Sequence, residues 1–405
     1  MTKAAAKAHK WEFQARFRRR AFGWRSQPAI QRIKQAVSEI KKVARNDEAL
    51  AAAGAVVLLE RISPALEQVD SSSGAIGGAV NYAIAELVPI VAGAPIDPQT
   101  RELWLQRLWT AHEADEVPYI ELLADHWGEL CASKEVASAW ADRLVDATRL
   151  ALSPERSVHG FFHGTSACLS ALFRAERYEE IIDLLQVDAI WPYKRWAVMA
   201  LAAIGKKSEA IHYAESCRGR WTQDSEVDAM CEEILLSSGL VDEAYQRYAL
   251  PANQGGTNLA TFRAVAKKYP HKSARDVLED LVTTTPGEEG KWFAAAKEAG
   301  LYEEALALAT LTPCDPKTLT RAAGDLVDEQ PDFALGAGML ALHWLVKGYG
   351  YEITGIDVWA AYSSTMAAAV KKGNVAQVRK RLKEIIAGEG TGGVVAKILN
   401  AALGQ

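Results

Sequence analysis

The sequence predicts an all-α fold of antiparallel helix pairs stacked side by side. Apolar residues recur at helical spacing almost throughout, and long alternating β-branched runs are absent. A five-residue pattern also returns about every thirty residues between positions 177 and 305, the mark of a helical repeat.

Composition bounds the class. The chain has 405 residues, 49% in the hydrophobic set and 24% charged, with a formal net charge of -5. That balance excludes wholesale disorder, collagen-like sequence and a disulfide-dense scaffold. No uninterrupted apolar run approaches the roughly 20 residues that span a bilayer, and Glu60 and Arg61 close the stretch from Ala51 to Leu59. The N-terminal residues lack the apolar core of a secretory signal. The five cysteines (Cys131, Cys168, Cys217, Cys231, Cys314) are scattered without a C-x-x-C pair, so reduced thiols in a cytoplasmic protein are expected. Four regions follow from texture: a basic aromatic arm over 1–28, longer helix pairs over 29–155, a repeat region over 156–330, and a C-terminal cap over 331–405.

The arm comes first. Residues 1–45 carry 13 Lys or Arg against Glu12 and Glu39, a local charge of +11, which leaves -16 for the remaining 360 residues. Trp11, Phe13, Phe17, Phe22 and Trp24 lie among Arg16, Arg18, Arg19, Arg20 and Arg25. In a helix, Phe13, Phe17, Ala21 and Trp24 would share a stripe. Several roles fit. The stripe can dock on neighbouring helices while the arginines stay solvated or pair with the acidic body. The arginines can instead meet nucleic-acid phosphates with aromatics stacking on bases, or an acidic protein, or a membrane surface. An organelle transit segment has the same Arg-rich, acid-poor composition.

Caps and breakers mark the helices that follow. Asp47 precedes an alanine-rich helix, Asp70 with Ser71 to Ser73 precedes the next, Asp97-Pro98 opens a third, and Ser133 is an N-cap candidate. Pro154, Pro192, Pro251, Pro270, Pro286, Pro313 and Pro331 punctuate the rest. In the middle, Arg177-Tyr-Glu-Glu-Ile181, Lys206-Lys-Ser-Glu-Ala210, Leu240-Val-Asp-Glu-Ala244 and Leu301-Tyr-Glu-Glu-Ala305 superimpose without gaps, and Pro270-His-Lys-Ser-Ala274 is a degenerate copy. Gly205, Gly239 and Gly300 stand directly before three of them. Each glycine is placed to end a first helix in the left-handed conformation. The carboxylates then lie in the first turn of a second helix, where the positive dipole end favours them. The small residue at the fifth position lets two backbones approach, and Tyr302, Ala305, Leu306 and Ala309 continue as an apolar stripe.

The Gly-x-Tyr-x-Glu-Ala pattern of residues 300–305 resembles the turn and second helix of tetratricopeptide-type repeats. The resemblance covers about residues 160–312. The first-helix signature of that family, a tryptophan followed by Leu-Gly and then tyrosine, is not reproduced. The resemblance implies a right-handed α-solenoid whose concave face binds protein or peptide. Residues 29–155 are similar to HEAT-type helix pairs without a registrable repeat.

Other motifs are weaker. His159 and His163 stand at i and i+4 in His-Gly-Phe-Phe-His-Gly with Cys168 five residues on, the spacing of two metal ligands on one helix face. Gly160 and Gly164 oppose that helix, and a structural role for the histidines competes. Gly388-Glu-Gly-Thr-Gly-Gly393 matches G-x-G-x-x-G, but a basic helix and not a strand precedes it, so a hinge is expected. Glu113, Asp115 and Glu116 read as solvated acids before Pro118, and Glu288 and Glu289 as a helix start. No nucleophilic triad order is identifiable. The last basic helix carries Arg379, Lys380, Arg381 and Lys383 opposite Val375, Val378, Leu382, Ile385 and Ile386. It caps the array or offers a second anion-facing patch.

The function expected is therefore binding without catalysis, cofactor or metal. A protein partner lies along the concave face, and Trp11, Arg16, Arg18, Arg19, Arg20, Trp24 and Arg25 of the arm form a second contact. The alternative is a nucleic-acid-associated protein whose arm and Arg379, Lys380, Arg381 and Lys383 grip phosphates.

Overall fold

The structure, a computed structural model, describes residues 9–153, 162–187, 189–219, 222–389 and 393–404. Among these residues every regular element is helical and no strand occurs. The chain divides into two compact units, Met1–Gln223 and Asp224–Gln405.

Unit 1 starts from three long helices, Ser26–Ala44, Glu48–Leu66 and Ala75–Gly93, each packed on the other two, with Pro98–Glu113 laid on Glu48–Leu66. The cap residues behave as their chemistry requires. Asp47 accepts the Leu50 N–H at 2.9 Å, Asp97 accepts those of Gln99 and Thr100 at 3.0 Å, and Ser133 accepts that of Val136 at 3.3 Å. Buried Arg101 donates to the carbonyls of Ala92 at 3.2 Å and Ala94 at 3.0 Å, setting a cation against the C-terminal end of Ala75–Gly93. Glu48–Leu66 and Ala75–Gly93 are long and apolar enough to cross a membrane by length and composition alone, but 61% and 44% of their apolar windows are buried inside the protein. Glu60 and Arg61, counted as interrupting an apolar run, sit within the first of these helices.

The repeated segments share one hinge. Glu176, Gly205, Gly239 and Gly300 all have positive φ, at 59°, 85°, 74° and 73°. In each case the next N–H reaches five residues back, from Arg177 to Leu172, Lys206 to Leu201, Leu240 to Leu235 and Leu301 to Ala296, at 2.9 to 3.0 Å. The following residue then takes nearly the same conformation four times, φ -84° to -87° with ψ 52° to 68°. Four residues past it, Ile181, Ala210, Ala244 and Ala305 are fully buried. A left-handed residue thus closes the first helix, and the second turns back with this apolar side chain, alanine in three of the four, inward. The same turn recurs at Gly373 (φ 67°), where the Asn374 N–H bonds Ala369 and Val378 is the buried fourth residue.

The degenerate copy is three residues out of the expected register. Ala274 is exposed, Ser273 caps the helix by accepting the Asp276 N–H at 3.1 Å, and Val277 is the buried residue. With Ala334 after Gln330 included, the buried positions are 181, 210, 244, 277, 305 and 334, spaced by 29, 34, 33, 28 and 29 residues.

Pairs pack on pairs within each unit. In unit 1, Thr165–Arg174 contacts Trp191–Ala203. In unit 2, Asn258–Lys268 contacts Phe293–Glu298, Tyr302–Leu311 contacts Pro331–Val346, and Pro316–Asp325 contacts Gly355–Lys372. Specific groups join them. The Phe293 and Phe333 rings stack at 5.9 Å, Tyr302 leans on Phe333 at 4.8 Å, and Trp344 donates its indole N–H to the Ala309 carbonyl at 2.8 Å. Burial of Phe333 alone contributes about 1.5–3 kcal/mol.

One second helix is irregular. It begins as Val241–Ala244, widens to a π-helix over Tyr245–Ala249 and ends as Leu250–Ala252. Pro251 lacks the N–H that would reach back one turn, and its ring crowds the carbonyl there, so the wider turn precedes it.

Candidate interaction surfaces

The arm is docked on unit 1. Only Glu12–Arg16 is helical; Arg20 turns left-handed at φ 54° and donates its N–H to the Pro64 carbonyl at 2.9 Å. The expected Phe13–Phe17–Ala21–Trp24 stripe is therefore corrected. Phe13, Phe17 and Phe22 are buried with edge-on rings 5.4 to 6.4 Å apart, whereas Ala21 is exposed and Trp24 is 71% exposed. Trp11, only 6% exposed, lies flat against Gly54, where a Cβ would stand 2.3 Å from the indole. Trp11 is thus a packing residue of this seam, unlike exposed Trp24.

The arm arginines divide. Arg19 and Arg20 grip the two oxygens of Glu67 at 2.7 and 2.8 Å, and Arg16 faces Glu12 at 3.6 Å and Gln35. Hydrogen bonds first from Arg20 and then from Arg19 hold the Glu67 carboxyl below its usual range. Arg18 and Arg25 are exposed and make no ion pair among the described residues. Arg19 and Arg20 thus share one carboxylate of the body and Arg16 pairs within the arm, while Arg18, Trp24 and Arg25 face outward.

The C-terminal helix Val375–Glu389 differs. Val378, Leu382 and Ile386 are buried beneath it, while Lys380, Arg381 and Lys383 are exposed and Arg379 half-buried. None of the four forms an ion pair among the described residues, and the buried Nε of Arg379 has no acceptor. Their neighbours Lys371 and Lys372 are held by Asp328 and Asp332. This helix therefore presents a cluster of four cations without ion-pair partners among the described residues.

A groove of about 250 Å³ runs between the first helices of two successive pairs in unit 2. Pro316, Thr320 and Arg321 line one wall, and Asp357 and Ala360 the other, with Ile353 at its end. Lys317 spans it, 3.8 Å from Asp357, and the exposed Arg321 is unpaired.

The chemistry-bearing motifs resolve less dramatically. His159 lies outside the described residues. His163 is exposed, with its carbonyl 3.2 Å from Nε2 of buried His112 and the two imidazoles edge-on at 6.3 Å. His112, one helical turn from Trp109 in the Trp109–Trp127–Trp140 cluster, carried no motif in the sequence. No group of three metal-ligating side chains occurs among the described residues. Cys168 is buried, and burial pushes its thiol up to about 11, so it is a poor nucleophile near neutrality. Asp115 departs from the solvated reading. It is buried, accepts the Ile120 N–H at 2.7 Å and also accepts the Ser63 hydroxyl. Helices flank Gly388 to Gly393, of which residues 390–392 lie outside the described set.

Unit 2 also buries a polar network that no local pattern announced. Glu232, fully enclosed, accepts from Tyr269 Oη at 2.5 Å, Asn253 Nδ2 at 2.8 Å and Lys268 Nζ at 2.6 Å. Tyr245, at the π-turn, packs edge-on against Tyr269 and donates to Asp280 at 2.7 Å. Burial, and next the hydrogen bonds to carboxylates, push both phenols well above their usual range. The network pins four segments, 224–236, 241–252, 258–269 and 274–283, through satisfied polar groups. No protein-family model, no curated protein and no solved structure matches this chain.

Proposed function

We propose that the chain is a non-enzymatic protein-binding scaffold, built as a right-handed α-solenoid whose concave face holds a protein partner. The recurring left-handed hinge carries the reading. The left-handed turn at 176, 205, 239 and 300, together with buried positions that return every 28 to 34 residues from 181 to 334, supports helix pairs stacked one after another. First helices of successive pairs then share a groove, as Pro316–Asp325 and Gly355–Lys372 do, and unpaired Arg321 in it favours an acidic segment. Arg18, Trp24 and Arg25 form the second contact. Five cysteines, none of them in a disulfide, fit a reducing, cytoplasmic setting.

A photo-cross-linking residue in place of Arg321 tests this. The reading expects one protein species other than the chain itself, competed away by the unmodified chain and not by its Arg321→Glu variant. Absence of such a species, or competition indifferent to Arg321, refutes it.

One observation favours a second reading. The unpaired Arg379, Lys380, Arg381 and Lys383 suit a phosphate backbone. RNA or DNA affinity that falls steeply with salt and vanishes in the four-fold alanine variant would establish it. Binding unchanged by these substitutions would remove it.

A further inference from the structure

A second groove lies in unit 1, between the helices Ser26–Ala44 and Ala75–Gly93. The two run parallel, since Ile30 and Lys34 face Ala75 to Tyr82 and Lys41 pairs with Glu86 further along. Ile30, Ala75, Gly78, Ala79 and Tyr82 make the lining apolar, with Lys34 as its charged member. Its volume of about 600 Å³ falls in the range of sites that take a bulky ligand group. Ala75, Gly78 and Ala79 carry a methyl group or less, and a Cβ added at Gly78 meets nothing within 4 Å, so the space in front of them stays open. Tyr82, 45% exposed, stands beside it as a wall.

The unpaired charge along this groove has one sign. The two helices contain only two acids, and both are engaged. Glu39 accepts the N–H groups of Glu12 at 2.8 Å and Phe13 at 3.3 Å, and Glu86 is held by Lys41. Lys34, in the groove, and Arg45, near Lys41 at the end of Ser26–Ala44, are exposed and make no ion pair among the described residues. They stand at i and i+11, about 16 Å apart along a helix, so one carboxylate or phosphate group does not reach both. What complements the pair is an occupant with several acids spread along its length. The apolar lining asks of the same occupant a bulky apolar side chain between them.

We infer that this groove binds an acidic peptide segment of a partner protein, with a bulky apolar residue seated over Ile30 and Ala79 and flanking carboxylates on Lys34 and Arg45. The site uses no residue of the Arg321 groove or of the outward arm contact, so it stands or falls apart from the scaffold reading.

Selection of a displayed library of random peptides, about 15 residues long, on the full chain tests it. The expected result is enrichment of peptides that combine Asp or Glu with Trp, Phe or Leu and bind in the micromolar range. Lys34→Glu, and Gly78→Leu, which fills the groove, should each weaken them by about tenfold or more. Lys42→Glu makes the same charge change on a different face of the helix and should leave affinity within about threefold. All three positions are exposed, so far-UV dichroism should show unchanged folding. No enrichment over an unrelated protein, selected peptides without acids, binding indifferent to Lys34→Glu, or peptides lost only in Arg321→Glu would each overturn the proposal. Phosphatidylserine vesicles that bind through Lys34 when no peptide is selected would assign the groove to a membrane surface instead.

Discussion

Replacing Gly300 or Gly239 with alanine separates backbone conformation from packing. Both glycines have positive φ, 73° and 74°, and a Cβ built on either meets nothing within 4 Å. Steric clash contributes nothing, so the whole effect lies in forcing an L-residue into the left-handed region, about 1–2 kcal/mol. Alanine also stiffens the unfolded chain, which returns about 0.4–1 kcal/mol. The net loss should centre on about 0.8 kcal/mol for each, the difference of the two midpoints. Gly78, inside the helix Ala75–Gly93 with equally open space and ordinary φ, is the control. Gly78→Ala should gain about 0.5–1 kcal/mol. Urea unfolding followed by far-UV dichroism reads these as midpoint shifts at constant slope. If Gly300→Ala and Gly239→Ala left stability unchanged or raised it, the left-handed hinge would not be what the repeated turns require.

Trp11→Ala should cost about 3–5 kcal/mol of unit 1 stability, because a nearly buried indole is removed from its seat on Gly54. Gly54→Ala should reproduce part of that loss by overpacking, about 1–3 kcal/mol, and faster proteolysis ahead of residue 26 would report the freed arm. Glu232→Ala should cost unit 2 about 3–5 kcal/mol by stranding the Tyr269 hydroxyl and Lys268, whereas Glu232→Gln, which keeps an acceptor, should cost clearly less in the same urea assay. Alkaline pH provides a further test. Cys131 and Cys314 are pushed to about 12 and Cys168 to about 11 by burial, against about 8.5 in an unfolded chain. Between pH 8.5 and 11 the folded state therefore holds more protons than the unfolded one, and stability should fall as pH rises, by up to about 1.4 kcal/mol per pH unit per thiol. Under reducing conditions a Cys131→Ala, Cys168→Ala, Cys314→Ala variant should show a flatter pH profile between 9 and 11; an unchanged slope would contradict the cause.

Sequence periodicity reached the helices and most hinges because both are local. Asp47, Asp97 and Ser133 cap where their side chains dictate, and Gly205, Gly239 and Gly300 mark a conformation that few other residues adopt cheaply. Glu176 takes the same conformation without being glycine, and Gly373-Asn374 repeats it without carboxylates after it, so residue identity concealed two copies of the turn. The degenerate copy slipped by three residues because the Ser273 cap, not an upstream glycine, set its start. Non-local features stayed hidden for a different reason. Trp11 against Gly54, Asp115 against Ser63 and Glu232 against Tyr269 join residues 37 to 52 positions apart, and no spacing rule links such partners. The arm illustrates both limits. Its aromatic content admitted docking among several roles, and the break at Arg20 moved Trp24 to the surface and put Phe22 in the core.

Hydrogen exchange compared between the wild-type chain and Gly300→Ala probes the proposed row of coupled pairs most directly. Loosening one hinge should lower amide protection most within 289–311, less in the flanking stretches 258–283 and 316–346, and least in 355–404. A uniform loss over the whole of unit 2, or a loss confined to the substituted turn, would contradict pairs that lean on their neighbours.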